Sequence, residues 1–246
     1  MLNDASAALR RIRMHAMADR LEQWLDDPST RHGSTIACLV ALAEFHEQAI
    51  AGQRASTFLR RSELAPGISV EQVWTGQARG LTKKLLADLK ECEWLRRGQN
   101  VVVTGATGVG KTYLATALSR HAVVAHGARV VHHRTSELIR KCAEAERAGT
   151  WEKWLKDLKR PDLVVLENFA LEPVTLDDTR RLVEWLDGRN RNGKATLVVA
   201  PTPPDEWDAY FAGDIARGQL LRRVLDGSTV IELNPVAKTR KASITM

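Results

Sequence analysis

Eight consecutive residues carry the plainest chemistry in this chain: Gly105-Ala-Thr-Gly-Val-Gly-Lys-Thr112 fits G-x-x-x-x-G-K-[ST] at every defined position. Glycines let successive backbone N–H groups turn toward an anion, and the start of a following helix adds partial positive charge. The lysine of such a loop reaches β- and γ-phosphates, and its final hydroxyl suits a magnesium ion. The pattern carries meaning only between a strand and a helix. Asn100-Val-Val-Val-Thr104 before it reads as a strand, and Tyr113-Leu-Ala-Thr-Ala-Leu-Ser-Arg120 after it reads as a helix. Gly105, Ala106, Thr107, Gly108, Val109, Gly110, Lys111, Thr112 and the adjoining Tyr113 are therefore the expected contacts to a nucleoside triphosphate.

A loop of this kind works with a carboxylate at the end of another buried strand, which holds the magnesium shell. Asp162-Leu-Val-Val-Leu-Glu-Asn168 is the fitting stretch. Glu167 and Thr112 are the expected metal residues. Where ring-forming ATPases of this layout carry a second acid that polarises water, this chain has Asn168. An amide orients water but has no useful basicity. Loss of a general base costs on the order of 10²–10⁴ in rate, so hydrolysis is expected to be weak or absent. His132 and His133 are adjacent on a strand and point to opposite faces, which makes them core or rim residues rather than partners for one ion. Cys38, Cys92 and Cys142 lie far apart without C-x-x-C spacing, so no metal or disulfide framework is expected from them.

The elements that must position these residues are legible in the hydrophobic pattern. Apolar runs at 101–104, 128–133, 162–167, 195–200 and 229–233 are short and bounded, and the first four alternate with helix-length segments. That alternation predicts a parallel five-stranded sheet covered on both faces. Upstream, Leu9, Ile12, Met17, Leu21, Trp24 and Leu25 recur at helical spacing and end near Asp27-Pro28. A second helix is predicted from about Thr35 to Gln53, and another over 77–97. Ala65-Pro66-Gly67 is turn punctuation. The expected organisation is a helical region over 1–65, a linker and helix over 66–98, and a nucleotide-binding domain over 99–246.

The net charge of +6 is concentrated in residues 101–160, which hold 11 basic and 5 acidic side chains. No apolar run approaches 18 residues, and Met1-Leu-Asn-Asp leads into a polar helix rather than a signal sequence. The expectation is a soluble, cytoplasmic protein.

Beyond the phosphate loop, an ordered set of segments resembles the IstB/DnaC group of AAA+ ATPases, and the IstB side of it more than the DnaC side. The segments are Met14-His-Ala-Met-Ala-Asp-Arg-Leu21, Gly80-Leu81, Gly127-Ala-Arg-Val-Val131, Thr135-Ser-Glu-Leu138, Pro203-Pro-Asp-Glu-Trp207 and Leu220-Leu-Arg-Arg-Val-Leu225. The resemblance covers nearly the whole length. It implies an α/β P-loop sandwich of the AAA+ kind, ATP and Mg²⁺ as cofactors, and self-association into a ring or helix. It also implies an arginine, Arg223, reaching a neighbouring subunit's nucleotide, and DNA-backbone contacts by Arg140, Lys141 and Arg147. A closing basic motif falls on Lys238-Thr-Arg-Lys241.

Two departures concern turnover. The family's acidic pair, usually followed by Phe-Gly, is Glu167-Asn168-Phe169-Ala170. Its polar sensor after the fourth strand falls on Val199-Ala200-Pro201, and proline has neither a side-chain amide nor a backbone N–H. Three roles follow for comparison. One is a transposition helper that binds ATP, assembles on duplex DNA and presents target sites to a transposase. Another is a DnaC-like helicase loader, and the last a nucleotide-binding scaffold without turnover.

Overall fold

A computed structural model describes residues 2–27, 29, 34–61 and 67–235. Pro28, Ala65-Pro66 and the basic Lys238–Lys241 stretch lie outside the described residues.

The sheet holds β1 (Val101–Thr104), β2 (Val130–Arg134), β3 (Leu163–Glu167), β4 (Ala195–Val199) and β5 (Thr229–Glu232). Their spatial order is β2-β3-β4-β1-β5, and every pairing is parallel. All residues of β1, β3 and β4 are buried, as a sheet covered on both faces requires. Residue alternation then sends Val101, Val103, Leu163, Val165, Leu197 and Val199 to one core. Val102, Val164, Leu166 and Val198 go to the other.

The first core lies under α4 (Lys83–Lys90), α5 (Glu93–Arg96) and α6 (Lys111–His126). The second lies under α7 (Thr135–Arg147), α8 (Trp151–Leu158), α9 (Leu176–Arg191) and α10 (Asp214–Leu225). The result is a three-layer α/β sandwich. Ahead of it come α1 (Leu2–Arg11), α2 (His15–Asp26) and α3 (Thr35–Arg61), with α3 packed on α6. The Arg54 guanidinium fastens α3 to the end of α6 by donating to the Gly127 carbonyl at 2.6 Å. Ile68, Val70, Val73, Leu81 and Trp94 are buried with β1 and α6 in one cluster.

Some boundaries differ from the sequence reading. The run ending near Asp27 is split by a left-handed residue, Arg13 (φ 63°). The helix from Thr35 continues to Arg61, past Gln53. The single helix predicted over 77–97 is instead a turn and two short helices. Gly80 (φ 79°) makes the turn, the Thr82 hydroxyl caps α4 by accepting from the Leu85 N–H, and Cys92 (φ 52°) breaks the helix before α5. Helical periodicity persists across such a break because the apolar residues on both sides face the same core. Among the described residues no helix is long and apolar enough to cross a membrane.

Candidate nucleotide-binding site

The buried valines of β1 deliver the phosphate loop to one fixed place where the strands end. Gly105 is required twice over: its φ is 134°, and a Cβ there would stand 2.2 Å from the Leu233 carbonyl oxygen. Gly108 (φ 84°) has open space around its missing Cβ, so only the left-handed turn demands glycine. Gly110 (φ 92°) leads directly into α6, so Lys111, Thr112 and Tyr113 lie in the first turn, where backbone N–H groups lack helical acceptors. The Lys111 ammonium donates to the carbonyls of Gly105 and Ala106 at 2.6 and 2.8 Å. Burial pulls Lys111 below its ordinary value, and the charge of Glu167 opposes that pull. Val109 is buried, whereas Ala106, Thr107, Gly108 and Thr112 face solvent. The Tyr113 hydroxyl donates to Gln72 Oε1 at 3.1 Å.

Glu167 closes β3 with a buried side chain. Its Oε1 lies 3.4 Å from His132 Nε2. That is too long for a well-aligned bond, and each atom is buried without any other hydrogen-bond partner. Burial acts to raise the Glu167 carboxyl, but His132, the Thr112 hydroxyl and Arg134 outweigh it and hold the group below the usual glutamate value. The Thr135 hydroxyl fixes the strand end by donating to the Glu167 carbonyl at 2.8 Å. Asn168 and Ala170 then adopt left-handed backbone (φ 56° and 50°). Asparagine tolerates this conformation and alanine does so with strain. Between them Phe169 is anchored: its N–H donates to Val199 at 3.0 Å, and its ring meets Trp207 and Phe211 at 4.9 Å.

β4 lies between β1 and β3, so its end, Val199-Ala200-Pro201, comes to the same edge. Pro201 offers no donor. The next residue, Thr202, has a buried hydroxyl with no protein partner, and so does Thr104 at the base of the loop.

Arg223 stands elsewhere. Its carbonyl accepts from Asn100 Nδ2 at 2.8 Å, and Asn100 precedes β1, at the opposite edge of the sheet from the loop. Its guanidinium donates to Asp187 at 2.7 Å. Within one chain the fold does not bring Arg223 to the phosphate loop. Arg140, Lys141 and Arg147 all lie on α7. Arg140 pairs with Glu144 at 2.8 Å and Lys141 with Glu137 at 2.7 Å, while Arg147 Nε donates to the Ala143 carbonyl. At 100° per residue Arg140 and Arg147 share one stripe and Lys141 lies to its side. Trp151 and Trp154 stack on each other at 5.6 Å and pack against the second core.

Sequence reasoning missed three residues here. His132 was placed in the core or rim, and its approach to Glu167 depends on β2–β3 pairing, which no local signal announces. Thr202 gave no sign of its own. Arg79 donates to the Val109 carbonyl at 2.9 Å, and its own carbonyl accepts from the Asn234 N–H at 3.0 Å, so it braces the loop from the preceding linker. The Gly80-Leu81 pair was the available signal: a Cβ at Gly80 would stand 1.9 Å from the Glu232 carbonyl oxygen.

The donor set fits a triphosphate with a divalent ion. Three left-handed glycines shape the loop ahead of α6, an ammonium is at hand, and a buried carboxylate oxygen with a nearby hydroxyl suits a hard cation.

The family described as IstB-like ATP binding protein matches residues 7–243. A protein named for ATP binding in an insertion sequence of Mycobacterium tuberculosis is 28% identical over 238 residues, 95% of this chain and 93% of that protein. An insertion-sequence ATP-binding protein of Pseudomonas aeruginosa is 23% identical over 235 residues, 94% of this chain and 87% of its own. Among solved structures, AMPPCP-bound DnaA from Aquifex aeolicus superposes with a TM-score of 0.59 at 21% identity, covering 72% of this chain and 53% of that one. The DnaC helicase loader superposes at 0.56 with 15% identity, covering 69% and 98%. The chain thus spans about half the length of the DnaA structure it matches. These likenesses establish the AAA+ P-loop fold.

Proposed function

The chain belongs to the family of IstB-like ATP-binding proteins, and from that premise we propose that it binds Mg²⁺·ATP, assembles on DNA and assists a transposase in choosing target sites, with hydrolysis weakened at Asn168 and Pro201. What supports the proposal is a contrast: the phosphate loop is complete in residue type, with left-handed glycines at 105, 108 and 110, while Asn168 and Pro201 stand where the resemblance expects an acid and a polar sensor.

Each residue has a part in this reading. Lys111, which donates to the carbonyls of Gly105 and Ala106, would serve the β- and γ-phosphates, and the amides from Gly108 to Tyr113 would take the remaining charge. Thr112 and Glu167 would hold Mg²⁺, which would neutralise phosphate charge and polarise the terminal group. His132 and Arg134 favour the ionised form of Glu167, the form a cation requires. Asn168 orients a water without accepting its proton. Pro201 has no backbone N–H or side-chain amide to offer a γ-phosphate. Arg223, held by Asp187 at the far edge, serves a neighbouring subunit's nucleotide, so the proposal includes self-association. Arg140, Lys141 and Arg147 neutralise DNA phosphates, a contact that is salt-sensitive and sequence-independent. The helical region over 1–65 is the proposed partner-binding part, ahead of the linker over 66–98. Support for a transposition role, over helicase loading, comes from the insertion-sequence relatives, whose matches run through the N-terminal helices. A DnaA structure solved with AMPPCP and single-stranded DNA supports nucleotide and DNA binding on this fold.

The test compares the unaltered chain with Asn168→Asp and Lys111→Ala. Calorimetry should show magnesium-dependent ATP uptake by the first two and its loss in Lys111→Ala. Phosphate release should rise on the order of 10²–10⁴ in Asn168→Asp. Brisk release from the unaltered chain, abolished by Lys111→Ala, would overturn the claim of weak hydrolysis. ATP-dependent filaments on duplex DNA in negative-stain images are the expected assembly, and capture of a helicase ring in their place would favour the loader role.

A further inference from the structure

We infer a metal site of the zinc class, formed by Cys92, His121 and His126, that fastens the α4–α5 junction to the C-terminal end of the phosphate-loop helix. The three ligand atoms, one sulfur and one ring nitrogen from each histidine, lie within 4.8 Å of one another. Cys92 comes from the junction of α4 and α5, and both histidines from the last six residues of α6. Sequence spacing gives no hint of the cluster, because the cysteine and the first histidine meet only through the packing of α4 on α6.

Two features beyond proximity point to a ligand. His121 Nε2 lies 2.8 Å from the Lys90 carbonyl oxygen. A carbonyl only accepts, so in the neutral ring this nitrogen carries the proton and Nδ1 keeps its lone pair. Metal-binding imidazoles are oriented in just this way, through a carbonyl or carboxylate on the second nitrogen. Cys92 is buried and holds a left-handed backbone (φ 52°), a strained conformation for a residue other than glycine. Its sulfur lies within reach of the end of α6.

One sulfur and two imidazoles favour zinc over magnesium or calcium, which prefer oxygen ligands. Tetrahedral zinc separates such donors by about 3.5 Å, so the cluster must tighten by about 1 Å. His126, exposed at the helix end with its ring 5.8 Å from that of His121, can supply this by changing rotamer. It also gives the ion a path in. On binding, the Cys92 S–H bond breaks, the proton leaves to solvent, the thiolate and two nitrogens bind the ion, and a water fills the fourth position.

The test uses the full chain, reduced and stripped with chelator, without nucleotide. Co²⁺ titration should show one equivalent bound, with sulfur-to-cobalt charge-transfer absorption and tetrahedral visible bands that Zn²⁺ displaces. His126→Ala removes an exposed side chain and should weaken uptake at least about tenfold, while erasing the metal-dependent rise in Tm. Cys92→Ser should lose the charge-transfer band, and should that variant fail to fold, His126→Ala carries the test. A folded chain with no such band, or equal affinity in His126→Ala, overturns the inference.

Discussion

Where the strands begin, Asn100, Asp162 and Arg189 have their polar groups engaged. Where they end, Thr104, His132, Glu167 and Thr202 each keep a buried polar atom without a hydrogen-bond partner in the protein. At the first edge the Asn100 amide donates to the carbonyls of Arg223 and Val224 and accepts from the Thr196 N–H. Arg189, fully buried, donates to the carbonyls of Leu158, Pro161 and Ala195 and to the Thr196 hydroxyl. Asp162 holds Lys194 and Arg129. At the second edge left-handed Asn168 and Ala170 add backbone strain. One edge ties the C-terminal ends of α8, α9 and α10 to the strands. The other gathers four unmet groups around the phosphate loop, at about 1–3 kcal/mol each, where a charged ligand can meet them, against Asn190 Oδ1 and Ser228 Oγ at the first edge.

Substitutions can break or sharpen this contrast. The largest effect is expected at Arg189. Arg189→Leu takes a donor from each of three carbonyls and should cost about 3–5 kcal/mol of stability by chemical denaturation. ATP affinity of the folded fraction should not change, and a selective loss of nucleotide binding would refute the division of labour between edges. Next is Asp162. Burial acts to raise its carboxyl, yet Lys194 and Arg129 prevail and lower it from 3.8 to about 2. A lowered folded-state pKa adds stability that is fully present above pH 3.8 and is lost as pH falls toward 2. The side chain keeps 30% exposure, so after solvent screening Asp162→Asn should cost about 1 kcal/mol at neutral pH. Its stability should also vary less than the parent's over that acid window, which a denaturant series at several pH values would read. The smallest effect is expected at the working edge. Thr104→Val deletes a buried, unpartnered hydroxyl at nearly constant volume and should stabilise the fold by up to about 1 kcal/mol in thermal melts. A loss of stability there would mean that the hydroxyl is satisfied after all.

Much of the site was readable because it is local. Eight adjacent residues specify the phosphate loop, and the glycines at 105, 108 and 110 all take the positive φ that their identity anticipates. The three central strands, β1, β3 and β4, were visible as bounded apolar runs because they are buried on both faces, whereas β2 and β5 at the sheet margins are partly exposed and mix in polar residues. Helix boundaries over 77–97 were not visible, because the break at Cys92 changes backbone direction without interrupting the apolar pattern. Arg79 and His132 stayed hidden for another reason: one reaches the site across a chain reversal, the other across a strand pairing.

The sequence alone determined that a nucleotide loop, a buried carboxylate and an amide in place of an acid stand on one α/β domain. These follow from residue type and short-range spacing, which survive in any fold that accommodates them. Only the tertiary structure decided that His132 faces Glu167, that Arg223 lies at the far edge beside Asp187, and that Cys92 meets two histidines at the end of α6. Such encounters depend on strand order and helix packing, where residues distant along the chain are brought within a few ångströms by the burial of apolar surface between them.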